Sequence, residues 1–409
     1  MRVFSVHLND IKVGQVVEEG EAAVAFRTLE SYRRRAQRPV LSLSFEEDLR
    51  RVYAGENGRL PSFFANLVPE KGPVRDLLVQ STGVPASDGL GLLGALGDDL
   101  PGAVFVKLES DDGASSSTPS AEDREAARAP RRLAEGIRLR FSIAGVQLKL
   151  SMIRDADGIV LPATGKAGQV IVKFDSPQVP GLVENEYATM EWARAAGFNV
   201  PSCELLSSDV LDEPFRELGP PGSPVYVIER FDRRDGTRVH QEDLAQVIGL
   251  YPECKYGAEE SGCPKVDWTG MLRGLRGIGA KETYEEALRR LVLMVAIGND
   301  DAHLKNWALL YPDDIRPRLA PLYDQVAIAA WKDGTMRWAL PWNGDRSQAK
   351  RTTLTTFANL AERVGESRDD AQDIARDTLN SLAEAWSVAA ELFPRGCCNS
   401  LSGRRSLGA

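Results

Sequence analysis

The sequence predicts an α+β chain: a small amino-terminal unit of strands and short helices, a strand-rich middle, and a mainly helical carboxy-terminal part. Three observations carry that prediction. Apolar residues alternate through Phe4, Val6 and Leu8 and resume after Asn9-Asp10 in Lys12–Val17, the pattern of a β-hairpin. Val170-Ile-Val-Lys-Phe174 is an apolar strand, followed from Leu182 to Gly197 by apolar positions at helical spacing. From Thr283 to Gly298 the chain reads as one capped, strongly apolar helix, and 354–393 holds two amphipathic helices.

Length and composition bound the rest. A chain of 409 residues suggests two or three packed units. Its 50 basic and 59 acidic residues leave a net charge of −9, which argues against binding nucleic acid directly, since phosphate contacts dominate that affinity. No apolar run is long enough to span a membrane, and the first residues lack a signal-peptide pattern. The five cysteines are odd in number and lack paired zinc spacing, which points to free thiols in a reducing cytoplasm.

In chain order, strand-like pieces follow the hairpin at Ala22–Phe26 and Val40–Leu43. Leu60 opens a helical region through Val79 with Ser62 as its N-cap. Gly89–Gly97 reads as a short helix and Pro101–Val106 as a closing strand, so 1–108 forms one α+β subdomain. The serine-rich stretch 109–135 has almost no large apolar group and reads as a flexible linker. A strand-rich lobe, 136–232, and a helical lobe, 233–395, follow; 396–409 is a Gly/Ser/Arg-rich tail.

The strand-rich lobe holds candidate phosphate-binding groups. Arg140–Ile153 reads as strand, small-residue turn, strand: Ala144-Gly145 permits close backbone approach, and Lys149 lies on the return strand. Lys173 interrupts an apolar strand. It either faces water on a sheet edge or reaches the phosphates of ATP, oriented by a glutamate of the next helix. Glu186 is the expected partner and Glu184 the competitor. Pro224–Glu229 then runs into Arg-Phe231-Asp, where the backbone at Glu229 and Phe231 would meet an adenine edge; a core strand followed by a charged turn is the competing reading.

The helical lobe holds the chemistry. Gly298-Asn-Asp-Asp301-Ala-His303-Leu-Lys305-Asn306 follows the long apolar helix, and Leu319-Ala-Pro-Leu-Tyr-Asp324 comes after it. The step from Asp301 to Asn306 is that of a protein-kinase catalytic loop, in which Asp serves the attacking hydroxyl and Asn takes magnesium. Asp324 supplies a second hard oxygen ligand, and His303 offers a cation or donor to the transferring phosphoryl group. Lys305 joins the ATP-binding group. With one histidine and no cysteine in this region, zinc is disfavoured.

Phe141-Ser-Ile-Ala-Gly-Val-Gln-Leu-Lys-Leu, Ile171-Val-Lys-Phe with Glu184-Asn-Glu-Tyr, Glu229-Arg-Phe-Asp-Arg, Gln241-Glu-Asp, and the Gly298–Asn306 segment with Leu322-Tyr-Asp together resemble the HipA family of bacterial toxin kinases. The resemblance covers nearly the whole chain. It implies a two-lobed protein-kinase-like fold carrying the extra amino-terminal subdomain, and a serine/threonine kinase that uses ATP and Mg²⁺. It implies Asp301 as catalytic base, Asn306 and Asp324 as Mg²⁺ ligands, Lys173 as the ATP phosphate contact, and Ser142 as an inhibitory autophosphorylation site. It further implies an aminoacyl-tRNA synthetase as protein substrate and a HipB-like helix-turn-helix antitoxin as partner. DNA would be met only through that antitoxin, within a complex that admits a homodimer. The competing functions are a lipid or small-molecule kinase, and a nucleotide-binding corepressor scaffold without turnover.

Overall fold

A computed structural model describes residues 1–20, 23–109, 147–155, 158–160, 167–213, 215–234, 236–257, 262–328, 331, 338–342, 352–394 and 397. Ser142, Ala144 and Gly145 lie outside the described residues, as do nearly all of the expected linker and tail. The chain forms two compact units. The first comprises 1–180, 203–252 and 311–316; the second comprises 181–202, 253–310 and 317–409.

Among its described residues the first unit holds two five-stranded sheets. One is built from β1 (Val3–Leu8), β2 (Ile11–Glu19), β3 (Ala23–Thr28), β4 (Tyr53–Ala54) and β5 (Val104–Leu108), in the order β4-β3-β2-β1-β5. The expected hairpin is β1–β2, closed by Asn9-Asp10 with Leu8 opposite Ile11. Asn9 takes the left-handed backbone (φ 48°) that tight hairpin turns require and that asparagine tolerates. One face packs on an aromatic cluster of Phe26, Phe45, Phe63 and Phe64.

Two local expectations fail here. Val40–Leu43 is not a strand: Ser42 caps the short helix Leu43–Glu46, accepting from the Ser44 amide at 3.2 Å, and Val40 and Leu41 are apolar because they are core. Leu60–Val79 is not one helix capped at Ser62. It divides into Ser62–Ala65, preceded by Pro61, and Pro73–Thr82, because Pro69 and Gly72-Pro73 break the ladder between them.

The second sheet contains β6 (Lys149–Arg154), β7 (Ile159–Val160), β8 (Val170–Phe174), β9 (Cys203–Ser207) and β10 (Pro224–Glu229), ordered β7-β6-β8-β10-β9. The period of two decides its faces. Val170, Val172 and Phe174 of β8 join Leu150, Met152, Val225 and Val227 in one core, which turns Lys173 and Tyr226 to the opposite face.

A charged cluster in this unit joins 99–102 to 230–233. Arg230 reaches Asp232 at 2.9 Å and Asp99 at 2.9 Å, Arg233 reaches the same two carboxylates, and the Gly102 amide donates to Asp232 at 2.7 Å. Burial by itself would push the Asp232 carboxyl up, but the two guanidiniums outweigh it and hold it below the usual carboxylate range.

The second unit is mainly helical. Helices Leu182–Ala195, Lys281–Ile297, Leu354–Val364 and Arg368–Ala389 match the expected apolar stripes, and helix Trp268–Ile278 joins them. Helix Lys281–Ile297 starts two residues before Thr283 and has no side-chain N-cap. From Leu291 to Ile297 every residue is buried, so this helix is the unit's axis. Trp192 packs edge-on to Trp386 at 4.7 Å and donates its indole N–H to the Leu382 carbonyl at 2.8 Å, fastening helix Leu182–Ala195 to helix Arg368–Ala389.

Candidate functional site

The apolar helix delivers the candidate catalytic loop through its terminus. Gly298 adopts φ 63°, and the Asn299 amide turns back to the Met294 carbonyl at 3.0 Å. Asn299 is thereby driven into the interior, 1% exposed. Its side-chain oxygen accepts from the Asp301 amide at 3.0 Å, and its amide nitrogen donates to Gln325 Oε1 at 3.1 Å. One buried amide thus ties the loop of Asp301 to the loop of Asp324.

Further bonds fix the segment 301–306. The Asp301 carbonyl accepts from the His303 amide at 2.7 Å and from Asn306 Nδ2 at 3.0 Å. The Asn306 amide donates to the His303 carbonyl at 2.9 Å, and Tyr323 Oη to the Lys305 carbonyl at 2.9 Å. With its Nδ2 committed to Asp301, Asn306 keeps its Oδ1 as the atom available to a ligand. Approach to Asp324 is fixed from the helix as well: Arg290, buried, donates from Nη2 to the Ala320 carbonyl at 2.8 Å, and the Leu322 amide donates to the Asn199 carbonyl at 2.8 Å. Asp324 itself sits in the left-handed region at φ 58°, uncommon for a residue with a side chain. Asn185 holds the far side of this loop, accepting from the Ala327 amide at 2.8 Å.

Asp301 is exposed as a residue, yet protein crowds its carboxyl. That desolvation pushes the carboxyl above the usual range; a hydrogen bond from Tyr256 and the charge of Lys255 pull it down, while Asp324 and Asp300 push it up. His303 is buried, and desolvation with Lys255 lowers its pKa to about 3. It is therefore a neutral imidazole at pH 7. A cationic role is closed to it and a donor role remains. Tyr256 donates to Asp301 Oδ1 at 2.6 Å and stands edge-on to the His303 ring at 5.1 Å. Sequence reasoning missed Asn299, Gln325 and Tyr256. Only Asn299 carried a signal, as a polar residue directly after a helix-terminating glycine.

The residues expected on the nucleotide side fall in both units. In the first, Lys149 and Lys173 are direct cross-strand partners, as are Lys173 and Tyr226. The edge-strand alternative for Lys173 fails: β8 lies between β6 and β10, Lys173 is 5% exposed, and its ammonium stands 5.9 Å from the Tyr226 ring centre. Glu229 ends β10 and is exposed, with Phe231 half-buried two residues on. In the second unit, Glu186 lies fully buried on helix Leu182–Ala195.

The reading of the cysteines as free thiols is corrected. Cys254 and Cys263 form a disulfide, with Cα atoms 5.5 Å apart, whereas Cys203 and Cys397 are buried elsewhere. Cys254 and Cys263 lie nine positions apart, which matches no metal pattern; a turn at Cys254–Gly257, closed by the Gly257 amide to the Cys254 carbonyl at 3.0 Å, folds the segment back. Among the described residues no three His, Cys, Asp or Glu side chains gather as a metal cluster, and no helix is long and apolar enough to cross a membrane. A kinase magnesium site needs fewer protein ligands, since phosphate oxygens complete it. The amide oxygen of Asn306 and the carboxylate of Asp324, with Asp301 and Asp324 repelling each other, fit a hard divalent cation.

The HipA-like C-terminal domain matches residues 141–386, and the HipA N-terminal domain matches residues 4–107. The chain belongs to the HipA family. A relative from Sinorhizobium fredii, Y4dM, whose name proposes a kinase, is 35% identical over 92% of this chain and 89% of its own length. The serine/threonine-protein kinase toxin HipA of Shewanella oneidensis is 27% identical over 70% of this chain and 67% of its own. A chain in the solved complex of Shewanella oneidensis HipA, HipB and operator DNA superposes with a TM-score of 0.73, covering 98% of this chain and 95% of its own at 20% identity. The fold is therefore that of HipA: α+β and kinase-like, with the additional amino-terminal subdomain and a mainly helical C-lobe.

Proposed function

We propose that this HipA-family chain is an ATP- and Mg²⁺-dependent serine/threonine protein kinase, the toxin of a toxin–antitoxin module. The observation that carries the reading is the bonded loop from Asn299 to Asn306, which holds a partly desolvated Asp301 carboxyl within electrostatic reach of Asp324 and near a neutral His303. In this reading Asp301 accepts the proton of a protein hydroxyl as its oxygen attacks the γ-phosphorus of ATP. The bond to the β,γ-bridging oxygen breaks and ADP leaves. A carboxyl pushed above its ordinary range is a stronger base than a free one. His303 donates a neutral hydrogen bond toward the transferring group. Asn306 and Asp324 hold Mg²⁺, which when bound neutralises charge on the phosphates.

On the nucleotide side, Lys173 contacts the ATP phosphates, oriented by Glu186. The Ala144-Gly145 backbone, Lys149 and Lys305 assist, and the Glu229 and Phe231 backbone takes the adenine edge. The placement of Lys173 supports this assignment: it is buried on a central strand, turned away from the apolar core face of its sheet. The protein substrate is an aminoacyl-tRNA synthetase, whose phosphorylation inhibits translation. Autophosphorylation of Ser142 adds close to two negative charges beside the phosphate site and switches the enzyme off. A HipB-like helix-turn-helix antitoxin binds the chain, in a complex that admits a homodimer, and carries any contact with DNA. Family membership and the composition of the Shewanella complex support the partner.

Incubation with labelled ATP and Mg²⁺ tests the reading. Wild type labels a protein, while Asp301→Asn and Asp324→Ala lower the rate by about 10²–10⁴-fold. Absence of label in wild type points to a scaffold without turnover; label undiminished in Asp301→Asn removes that residue as base. Ser142→Ala is expected to keep activity and lose self-inactivation, followed as the decay of rate during preincubation with ATP.

A further inference from the structure

Tyr256 has no part in the motifs that carry the family resemblance, yet its hydroxyl donates to the Asp301 carboxyl, 2.6 Å to Oδ1. Its segment docks on the catalytic loop at three points. The Leu304 amide donates to the Lys255 carbonyl at 3.1 Å, the Tyr256 hydroxyl meets Asp301, and the Tyr256 ring stands against His303 at 5.1 Å. The segment is itself constrained. Gly257 sits at φ 77°, and a Cβ there would come within 2.4 Å of the Val266 carbonyl oxygen, so this turn is packed closely enough to admit only glycine. The Cys254–Cys263 disulfide spans this turn, starting two residues before Tyr256. Cys263 is half-buried, within reach of a small thiol.

We propose that Tyr256 is a positioning residue for Asp301 and that the Cys254–Cys263 crosslink governs how firmly it is held, making phosphoryl transfer responsive to thiol redox state. Asp301 must present one oxygen to the substrate hydroxyl; a short bond from Tyr256 to the other stops the carboxyl from rotating away. Reduction consumes one dithiol: its two thiols pass two electrons and two protons to Cys254 and Cys263, giving two free cysteines and an oxidised dithiol. Loss of the crosslink then loosens the turn and frees the Tyr256 side chain to leave Asp301. Disulfides exposed to a reducing compartment commonly serve as such sensors rather than as staples.

The inference rests on the kinase reading above, and the test separates the two. Initial rates are measured with the full-length chain in labelled ATP and Mg²⁺, with and without a dithiol, for wild type, Tyr256→Phe, and the paired Cys254→Ser, Cys263→Ser variant. Phenylalanine keeps the ring against His303 and removes only the hydroxyl. The expected result is a fall in kcat of roughly tenfold for Tyr256→Phe, with KM for ATP unchanged, because a lost charge-assisted hydrogen bond acts on the base and not on nucleotide binding. Reduced wild type and the paired serine variant fall in the same direction, and the dithiol has no further effect on Tyr256→Phe. Wild-type rates in Tyr256→Phe overturn the proposal, as does a Tyr256→Phe enzyme that stays as sensitive to dithiol as wild type. No transfer by wild type in either redox state overturns the kinase reading itself.

Discussion

At the scale of single residues, the site depends on buried amides as much as on its carboxylates. Asn299 satisfies the Asp301 amide and Gln325 at once, and both contacts lie where water cannot replace them. Asn299→Ala is expected to cost about 1–3 kcal/mol, the penalty of leaving buried polar groups unmet. It should also lower kcat more than it alters KM for ATP, because the loops of Asp301 and Asp324 are no longer tied. Urea unfolding and steady-state rates check the two halves; a stable protein with normal kcat would refute the positioning role. His303 makes a related point. A histidine in a motif invites a cationic role, but burial and Lys255 hold it neutral, and neither neighbour is legible in the motif.

At the scale of elements, most of what is secondary structure was legible. The strand at Val170–Phe174, the hairpin at Val3–Glu19 and the long helices follow from periods of two and 3.6 in apolar residues. The errors came where composition mimics a period, as at Val40–Leu43, whose apolar side chains serve the core from a capped turn. That same turn meets a charge the sequence does not advertise. Glu242 is buried, accepting from Ser42 Oγ at 2.6 Å, from the Leu43 amide at 3.0 Å and from the Tyr311 hydroxyl. Burial pushes its pKa from 4.5 up to about 7. The folded state therefore keeps a proton that the unfolded chain releases between those values. The contribution is fully present below the unfolded pKa and is lost as pH rises through about 7, a change on the order of 3 kcal/mol. The stability difference between wild type and Glu242→Gln should accordingly fall between pH 5 and pH 8 in urea titrations. A difference that does not vary with pH would contradict the assignment.

At the scale of the whole molecule, the first unit contains both the amino-terminal sheet and the sheet carrying Lys173. The cluster of Arg230, Arg233, Asp232 and Asp99 accounts for their union, since its charges are shared between 99–102 and 230–233. Removing one member of a buried ionic network strands the others, so Arg230→Ala should lose roughly 3–5 kcal/mol. Deleting 1–108 should leave a fragment that does not fold cooperatively in thermal unfolding, for the same reason. A fragment that unfolds cooperatively near the full-length midpoint would show that the amino-terminal part is an independent domain.

The sequence by itself determined the elements, the family, and the spacing that sets Asp301, Asn306 and Asp324 along the chain, because each is written in local order and period. Only the tertiary structure decided that Asn299 joins Gln325, that Asp324 takes a left-handed backbone, that Lys173 faces away from the core of its sheet, and that Cys254 pairs with Cys263. It also decided what was least visible at the opening motif, that Tyr256 caps the carboxyl of Asp301 from 45 residues away. Those facts depend on which distant segments share a desolvated space, and no short stretch of sequence encodes its neighbours.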